Sequence, residues 1–255
     1  MKNTTKKSAG ADWYADRDFW RVYAPYIFGS ERWASCAGEA EAVVSLTGAR
    51  PGSKVLDACC GVGRHSLEFA RMGFEVVGVD LNPEYLEAAR ASFQAESLSA
   101  QFFCQNVLAL DIKQSFDLII NMYISFGYFE AEEDNLQFLK NLHAHLADKG
   151  KLLVETLGKE HAVRDFRENE WYEENGVLVL ARYALTDDCS RLRNRWILID
   201  GDSRCDYTFT QRLYCAGELK ALFLRAGFSE VRVYGSLKGD PYDHAAQGLV
   251  AVGTK

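Results

Sequence analysis

The chain has 255 residues, 48% hydrophobic and 25% charged, which is the mixture of an ordinary globular domain. Its formal net charge of -7 argues against a nonspecific polyanion binder, because such binding draws on lysines and arginines that displace phosphate counterions. No apolar run nears the roughly 18 residues of a membrane span, the start lacks an apolar secretion stretch, and an odd 7 cysteines without a C-x-x-C pair suggest neither a disulfide framework nor zinc, so a cytoplasmic protein with small buried cysteines is expected.

Residues 1 to 11 are polar and expected to be disordered. Residues 12 to 48 read as a helical, unusually aromatic segment, with Trp13, Tyr14, Phe19, Trp20, Tyr23, Tyr26, Phe28 and Trp33, broken into pieces by Pro25 and Gly29. At helical spacing such rings are mostly core contacts, and their density also suits a lid. Strands and helices then alternate: strands at 54–58, 75–79, 101–104, 116–121 and 151–155, helices at 64–72, 83–93 and 132–146. Alternation of this kind specifies a parallel sheet with helices on both faces. Three β-like runs at 177–184, 191–199 and 205–214, separated by Thr-Asp-Asp and Asp-Gly-Asp turns, predict an antiparallel meander inserted into that core. An amphipathic helix at 216–226, stopped by Gly227, and two strands at 231–234 and 249–253 close the chain. The expected architecture is one α/β domain over residues 12 to 255, built on a Rossmann-like, seven-stranded, mostly parallel sheet.

The segment Val55-Leu56-Asp57-Ala58-Cys59-Cys60-Gly61-Val62-Gly63-Arg64-His65-Ser66 carries the chemistry. A strand entering a glycine turn and then a helix surrounds a ligand with backbone N–H groups. A dinucleotide fingerprint wants a third glycine where Ser66 stands, and Asp57 at the strand end suits a cationic ligand better than a pyrophosphate. Asp80 ends the second strand, 17 residues after Gly63, where a carboxylate accepts from two ribose hydroxyls; the alternative is that it only caps the helix opened by Pro83. Cys59 and Cys60, with no base or metal beside them, read as packing residues, and His143 and His145 as surface residues, so no metal site is expected.

These motifs, together with G-x-D-L-N-P-x-Y-L, F-D-L-I-I-N-M-Y-x-S-F-G-Y-F and L-x-D-K-G-K-L-L-V-E-T, resemble the class I S-adenosylmethionine-dependent methyltransferases over residues 50 to 158. The resemblance implies S-adenosylmethionine as cofactor and S-adenosylhomocysteine as product. It implies that Gly61 and Gly63 contact the methionine end, with Asp57 and Cys59 nearby, that Asp80 and Leu81 hold the ribose side, and that Asn106 and Val107 meet the adenine. Asn106 departs from the acid common there, but its amide oxygen accepts the same bond. Asn121 and Tyr123, after the fourth strand, fall where the methionine moiety and the acceptor are contacted.

Methyl transfer is an in-line displacement whose catalytic demand is mostly positioning, so the acceptor is hard to read. An Asn/Asp-Pro-Pro-Tyr motif is absent, which argues against exocyclic amino groups of nucleobases. An N- or O-methyltransferase of a small metabolite is expected, with no nucleic-acid or membrane partner. A peptide or protein methyltransferase and a non-catalytic S-adenosylmethionine-binding subunit are the alternatives. The insert at 177–214 is expected to border the acceptor pocket or form a homodimer interface, with Arg191, Arg193 and Arg195 on one face. In the loop after the sixth parallel strand, His244, with Tyr242 beside it, is expected to act on the acceptor, His244 as a proton acceptor.

Overall fold

The computed structural model describes residues 4 to 8, by backbone alone, and 12 to 255. In chain order the elements are β1 (Thr4–Ser8), α1 (Arg17–Ile27), α2 (Ser30–Thr47), β2 (Lys54–Ala58), α3 (Arg64–Arg71), β3 (Glu75–Asp80), α4 (Pro83–Ala95), β4 (Gln101–Cys104), β5 (Phe116–Asn121), α5 (Glu132–His145) and β6 (Leu146–Thr156). They continue with α6 (Lys159–Arg164), β7 (Asn169–Glu174), β8 (Val177–Thr186), β9 (Arg191–Asp200), β10 (Ser203–Arg212), α7 (Ala216–Ala226), β11 (Glu230–Tyr234) and β12 (Leu249–Thr254).

Seven strands form the sheet β11-β12-β6-β5-β2-β3-β4, in which β12 alone runs against its neighbours. β2 and β5 are central and apolar on both sides, as parallel strands covered by helices must be. The pleat sends Leu56, Ile119 and Leu152 toward Leu139, Leu142, Leu219 and Phe223 of α5 and α7. It sends Val55, Leu118 and Leu153 the other way, against Val43, Leu67, Phe69 and Leu86 of α2, α3 and α4. The Rossmann-like expectation therefore holds.

The inserted meander belongs to a second, five-stranded sheet, β1-β10-β9-β8-β7. Its β7 escaped the sequence reading because Asn-Glu-Trp-Tyr-Glu-Glu is exposed throughout and shows no buried alternation. Five of the eleven N-terminal residues expected to be disordered run as β1, parallel to β10, whose open edge offers them backbone partners. The rest of that expectation lies outside the described residues.

One face of this sheet packs on the N-terminal aromatics: Trp13, Phe19 and Tyr23 are buried with Val179, Leu198, Tyr207 and Phe209. Trp13 stacks on Phe209 with centroids 4.3 Å apart, and the Tyr23 hydroxyl donates to the Trp196 carbonyl at 2.7 Å. Pro25 does not break α1, contrary to expectation. It sits two residues from the end, where little ladder remains to lose, and Phe28 N–H still closes the last turn on the Ala24 carbonyl at 2.8 Å; Gly29 does divide the segment. Two of the three arginines of the expected face are paired: Arg195 grips Asp206 through two bonds of 2.9 and 2.7 Å, where Arg204 joins it, and Arg191 pairs with Asp187, while Arg193 is exposed. Of the cysteines only Cys36 is buried and Cys104 is exposed, so the uniformly buried reading was too simple. His143 and His145 are half-buried, His143 with its ring edge-on to Phe228.

Candidate functional site

The C-terminal ends of β2, β3 and β5 open into a cavity walled by residues from the N-terminal segment and from the loops that follow these strands. Its floor begins where β2 ends. Asp57 is 3% exposed and accepts from the Ser66 hydroxyl at 2.6 Å. The serine that replaces a third glycine thus ties the strand end to the first turn of α3. Burial raises the Asp57 pKa, and the neighbouring His65 and the Ser66 bonds oppose the rise.

Asp80 joins two loops. One carboxylate oxygen accepts from Gly61 N–H and the other from Asn82 N–H, both at 2.8 Å. Asn82, not Asp80, caps α4, through a bond from Glu84 N–H, so the capping alternative is removed. Burial drives the Asp80 pKa up to about 6 against those backbone donors. Gly61 has φ +55°, and a Cβ there would lie 3.2 Å from the Phe28 ring. A side chain would close the gap between floor and roof.

The roof comes from the N-terminal segment. Trp20, Ile27 and Phe28 line the cavity, and the Tyr85 hydroxyl of α4 pins α1 by donating to the Trp20 carbonyl at 2.9 Å. The insert contributes no lining residue; its sheet carries the roof from behind. On the far wall the Arg64 guanidinium lies 4.5 Å from the Tyr123 ring centre and 5.2 Å from that of Phe28, and donates to the Arg32 carbonyl at 3.0 Å. His65 meets Glu39 at 2.7 Å. Burial alone would lower the His65 pKa, but its bonds to Cys36 and Glu39 and the Asp57 charge raise it to about 10, so the ring is cationic at neutral pH. Tyr123 and Ile124 both have φ +65°, and the buried Glu155 carboxylate holds this bend by accepting from Tyr123 N–H at 3.0 Å.

Of the expected site residues, Asp57, Cys59, Gly61, Asp80, Leu81, Asn106, Val107 and Tyr123 line the cavity. Gly63 does not. A Cβ there would stand 2.8 Å from that of Ala89, so this glycine lets α3 and α4 approach. Asn121 is fully buried below the floor, donating to the Ala58 carbonyl at 2.8 Å, with its own amide oxygen unpartnered. Asn106 has already engaged its oxygen with Leu108 N–H at 2.9 Å, leaving a second lone pair and its amide N–H groups for a ligand. Cys59 and Cys60 are held as thiols, since burial and the Asp57 and Asp80 charges push both pKa values well up.

Tyr242 and His244 stand outside the cavity. Tyr242 donates to Glu160 at 2.7 Å beyond the end of β6, and the His244 ring is exposed while its carbonyl accepts from Arg164. Their loop is on the ligand edge as expected, but β11 lies three strands from β5, roughly 14 Å at sheet spacing. Sequence reasoning missed Arg64, His65, Tyr85, Tyr128 and Phe129 as lining residues. For Arg64 and His65 the signal was available, as they open the helix directly after the glycine turn.

The residues present fit S-adenosylmethionine: the Asp80 carboxylate spans two loops where ribose is expected, Asp57 supplies a second acid suited to a cationic ligand, and Gly61 keeps the cradle open. Among the described residues no helix is long and apolar enough to cross a membrane. A methyltransferase domain family matches residues 55–150. A Geobacillus sp. (strain WCH70) protein, provisionally named a methyltransferase, is 28% identical over 194 residues, 72% of this chain and 77% of that protein. The fold matches an S-adenosylmethionine-dependent methyltransferase from Clostridium acetobutylicum ATCC 824 with TM-score 0.75 at 16% identity, covering 93% of this chain and 97% of the other. It also matches S-adenosylmethionine-bound CalS10, an amino pentose methyltransferase from Micromonospora echinaspora, with TM-score 0.66 at 19% identity over 94% and 97% of the two chains.

Proposed function

We propose, from the premise that this chain is a class I S-adenosylmethionine-dependent methyltransferase, that it methylates nitrogen or oxygen of a small-molecule metabolite. The observation that carries this reading is the roof: Trp20, Ile27 and Phe28 cover a floor that holds Asp57 and Asp80, so the site is a covered cavity. A peptide or a nucleic acid needs an open groove, and the net charge of -7 disfavours the latter further.

In this proposal Asp80 accepts from the ribose hydroxyls, and Leu81, Asn106 and Val107 flank the adenine. Asp57 and the Gly61 turn serve the ammonium end, and Arg64, a cation on the wall, serves the carboxylate. When bound, the cofactor supplies a methyl group on a positively charged sulfur that leaves as a neutral thioether. The chain's own contribution is to hold the acceptor in line and keep water out, which a roofed aromatic cavity does. Tyr123 is the acceptor-side candidate on the wall, whereas Tyr242 and His244 reach an acceptor only if their loop moves.

The test is conversion of S-adenosylmethionine to S-adenosylhomocysteine against fractionated metabolites and against protein fractions, with Asp80→Ala as control. The reading expects turnover with a small-molecule fraction that the variant loses. Turnover with protein fractions alone would overturn it.

A further inference from the structure

Beside the cofactor cavity lies a second one, lined by Asp12, Tyr14, Phe129, Glu130, Ala131 and Asp134. Tyr14 and Phe129 belong to both, so these two rings form the partition between them. They meet edge to face with centroids 5.2 Å apart. The Tyr14 hydroxyl donates to the Asp12 carboxylate at 2.9 Å, and its oxygen keeps lone pairs that can accept a hydrogen bond. Burial and the Asp12 and Asp134 charges hold this phenol protonated, with a pKa of about 12. Among the described residues no cation forms an ion pair with the carboxylates of Asp12, Glu130 or Asp134; Arg191 pairs with Asp187 and donates to the Glu130 carbonyl at 2.8 Å, and Arg212 and Arg225 pair with Glu132 and Glu218. On the cofactor side Tyr128 adds its ring, 4.6 Å from Trp13 and 6.4 Å from Trp20.

We propose that the second cavity admits the methyl acceptor, that the acceptor is an aliphatic amine arriving as an ammonium ion, and that Tyr14 backed by Asp12 positions its nitrogen at the partition. This deepens the small-molecule reading above and rests on it. Aromatic faces attract cations and reject anions, and carboxylates without cationic partners add to that preference. A neutral alcohol would gain nothing from either. The Tyr14 oxygen accepts a hydrogen bond from the ammonium N–H. One proton passes through the Tyr14 hydroxyl to the Asp12 carboxylate and on to solvent, freeing the nitrogen lone pair. That lone pair forms the new nitrogen–carbon bond as the carbon–sulfur pair stays with sulfur. The product leaves as a methylated ammonium, so charge and protons balance.

The proposal is tested with 3,3-dimethylbutan-1-amine, an ammonium with N–H donors at neutral pH, and its neutral counterpart 3,3-dimethylbutan-1-ol. Binding of each to the purified protein is titrated calorimetrically with and without saturating S-adenosylhomocysteine. The expected result is at least tenfold tighter binding of the amine, lost in the Asp12→Asn, Asp134→Asn double variant, while S-adenosylhomocysteine affinity stays within twofold. Both aspartates are exposed, so folding is not at stake. Tyr14→Phe should raise KM for an amine acceptor and displace the acidic limb of the pH profile. Equal or absent binding of the two probes, or a preference that survives the double variant, would overturn the assignment. Failure of S-adenosylhomocysteine itself to bind would instead strike the cofactor reading.

Discussion

Asp80 is where the chemistry of single residues weighs most. Its pKa of about 6 places the change in charge inside the working range. In the proposed reading ribose hydroxyls donate to the carboxylate and lower its pKa on binding, so affinity is complete about one pH unit above 6 and declines as pH falls through 6. S-adenosylhomocysteine should bind about tenfold more weakly at pH 5 than at pH 7. Asp80→Asn should bind roughly 10- to 100-fold more weakly throughout and lose that pH dependence, which calorimetry at the two pH values would read. His65 makes the opposite signature in stability. Its pKa is about 6.5 in the unfolded chain and about 10 when folded, so its contribution is complete below pH 6.5 and is lost as pH rises through 10. Urea denaturation should find His65→Gln destabilised by on the order of 2 kcal/mol at pH 6.5, with the deficit shrinking toward pH 10. That Asp57, Gly61 and Asp80 come together at one edge of the sheet was legible, because the two acids stand at or near strand ends and the glycine in the turn that follows β2. The use of Gly63 was misread, because a glycine needed for helix approach and one needed for ligand approach look the same in sequence.

At the scale of elements, α1 is the piece that couples the two sheets. Phe19 is buried against Trp13, Tyr23, Trp196, Tyr207 and Phe209, and it does not touch the cavity. Phe19→Ala should cost about 3 kcal/mol and should weaken S-adenosylhomocysteine binding severalfold, because α1 carries Trp20 and Ile27. Trypsin should then cut faster after Arg17 and Arg21; an unchanged cofactor affinity would mean that α1 and the insert are not coupled to the site. The helices and strands of the core were legible from their periodicity. What the insert does was not, since alternation identifies a strand without naming its partner, and nothing local links Phe209 to Trp13 across a separation of 196 positions. β7 was illegible for the reason that makes it a safe edge: Glu170, Glu173 and Glu174 discourage further strands from pairing.

For the whole molecule, the cavity lies between a floor on one sheet and a roof carried by the other, so a ligand bridges both. Binding to the folded state alone adds RT ln(1 + [L]/Kd), about 2.7 kcal/mol at a hundredfold excess over Kd. For a chain of this size that is a Tm rise of about 5 to 10 °C. Scanning fluorimetry with S-adenosylhomocysteine should find it, together with protection of residues 12 to 28 from trypsin, and S-adenosylhomocysteine without effect on either would refute a ligand held between the layers. The fold class was readable from the sequence as a whole, because strand-helix alternation fixes a parallel sheet. The acceptor was not, because the cavity walls draw on segments as distant as Tyr14 and Phe129.

The bend at Tyr123 and Ile124 has a consequence for anyone who would engineer this protein. Two successive residues with side chains, one of them β-branched, are held in a conformation that suits glycine or asparagine, each at a cost of about 1 to 3 kcal/mol. This bend beside the cavity is therefore one of the places where the chain fits its own fold poorly, as is the turn at Asp187, Asp188 and Cys189. Selection for heat resistance alone would drift first toward glycine or asparagine at position 124, and the gain in robustness would come at the expense of turnover. A screen that alternates thermal challenge with a methylation assay would hold that position, and would have to seek its improvements in the loops and surfaces away from the bend.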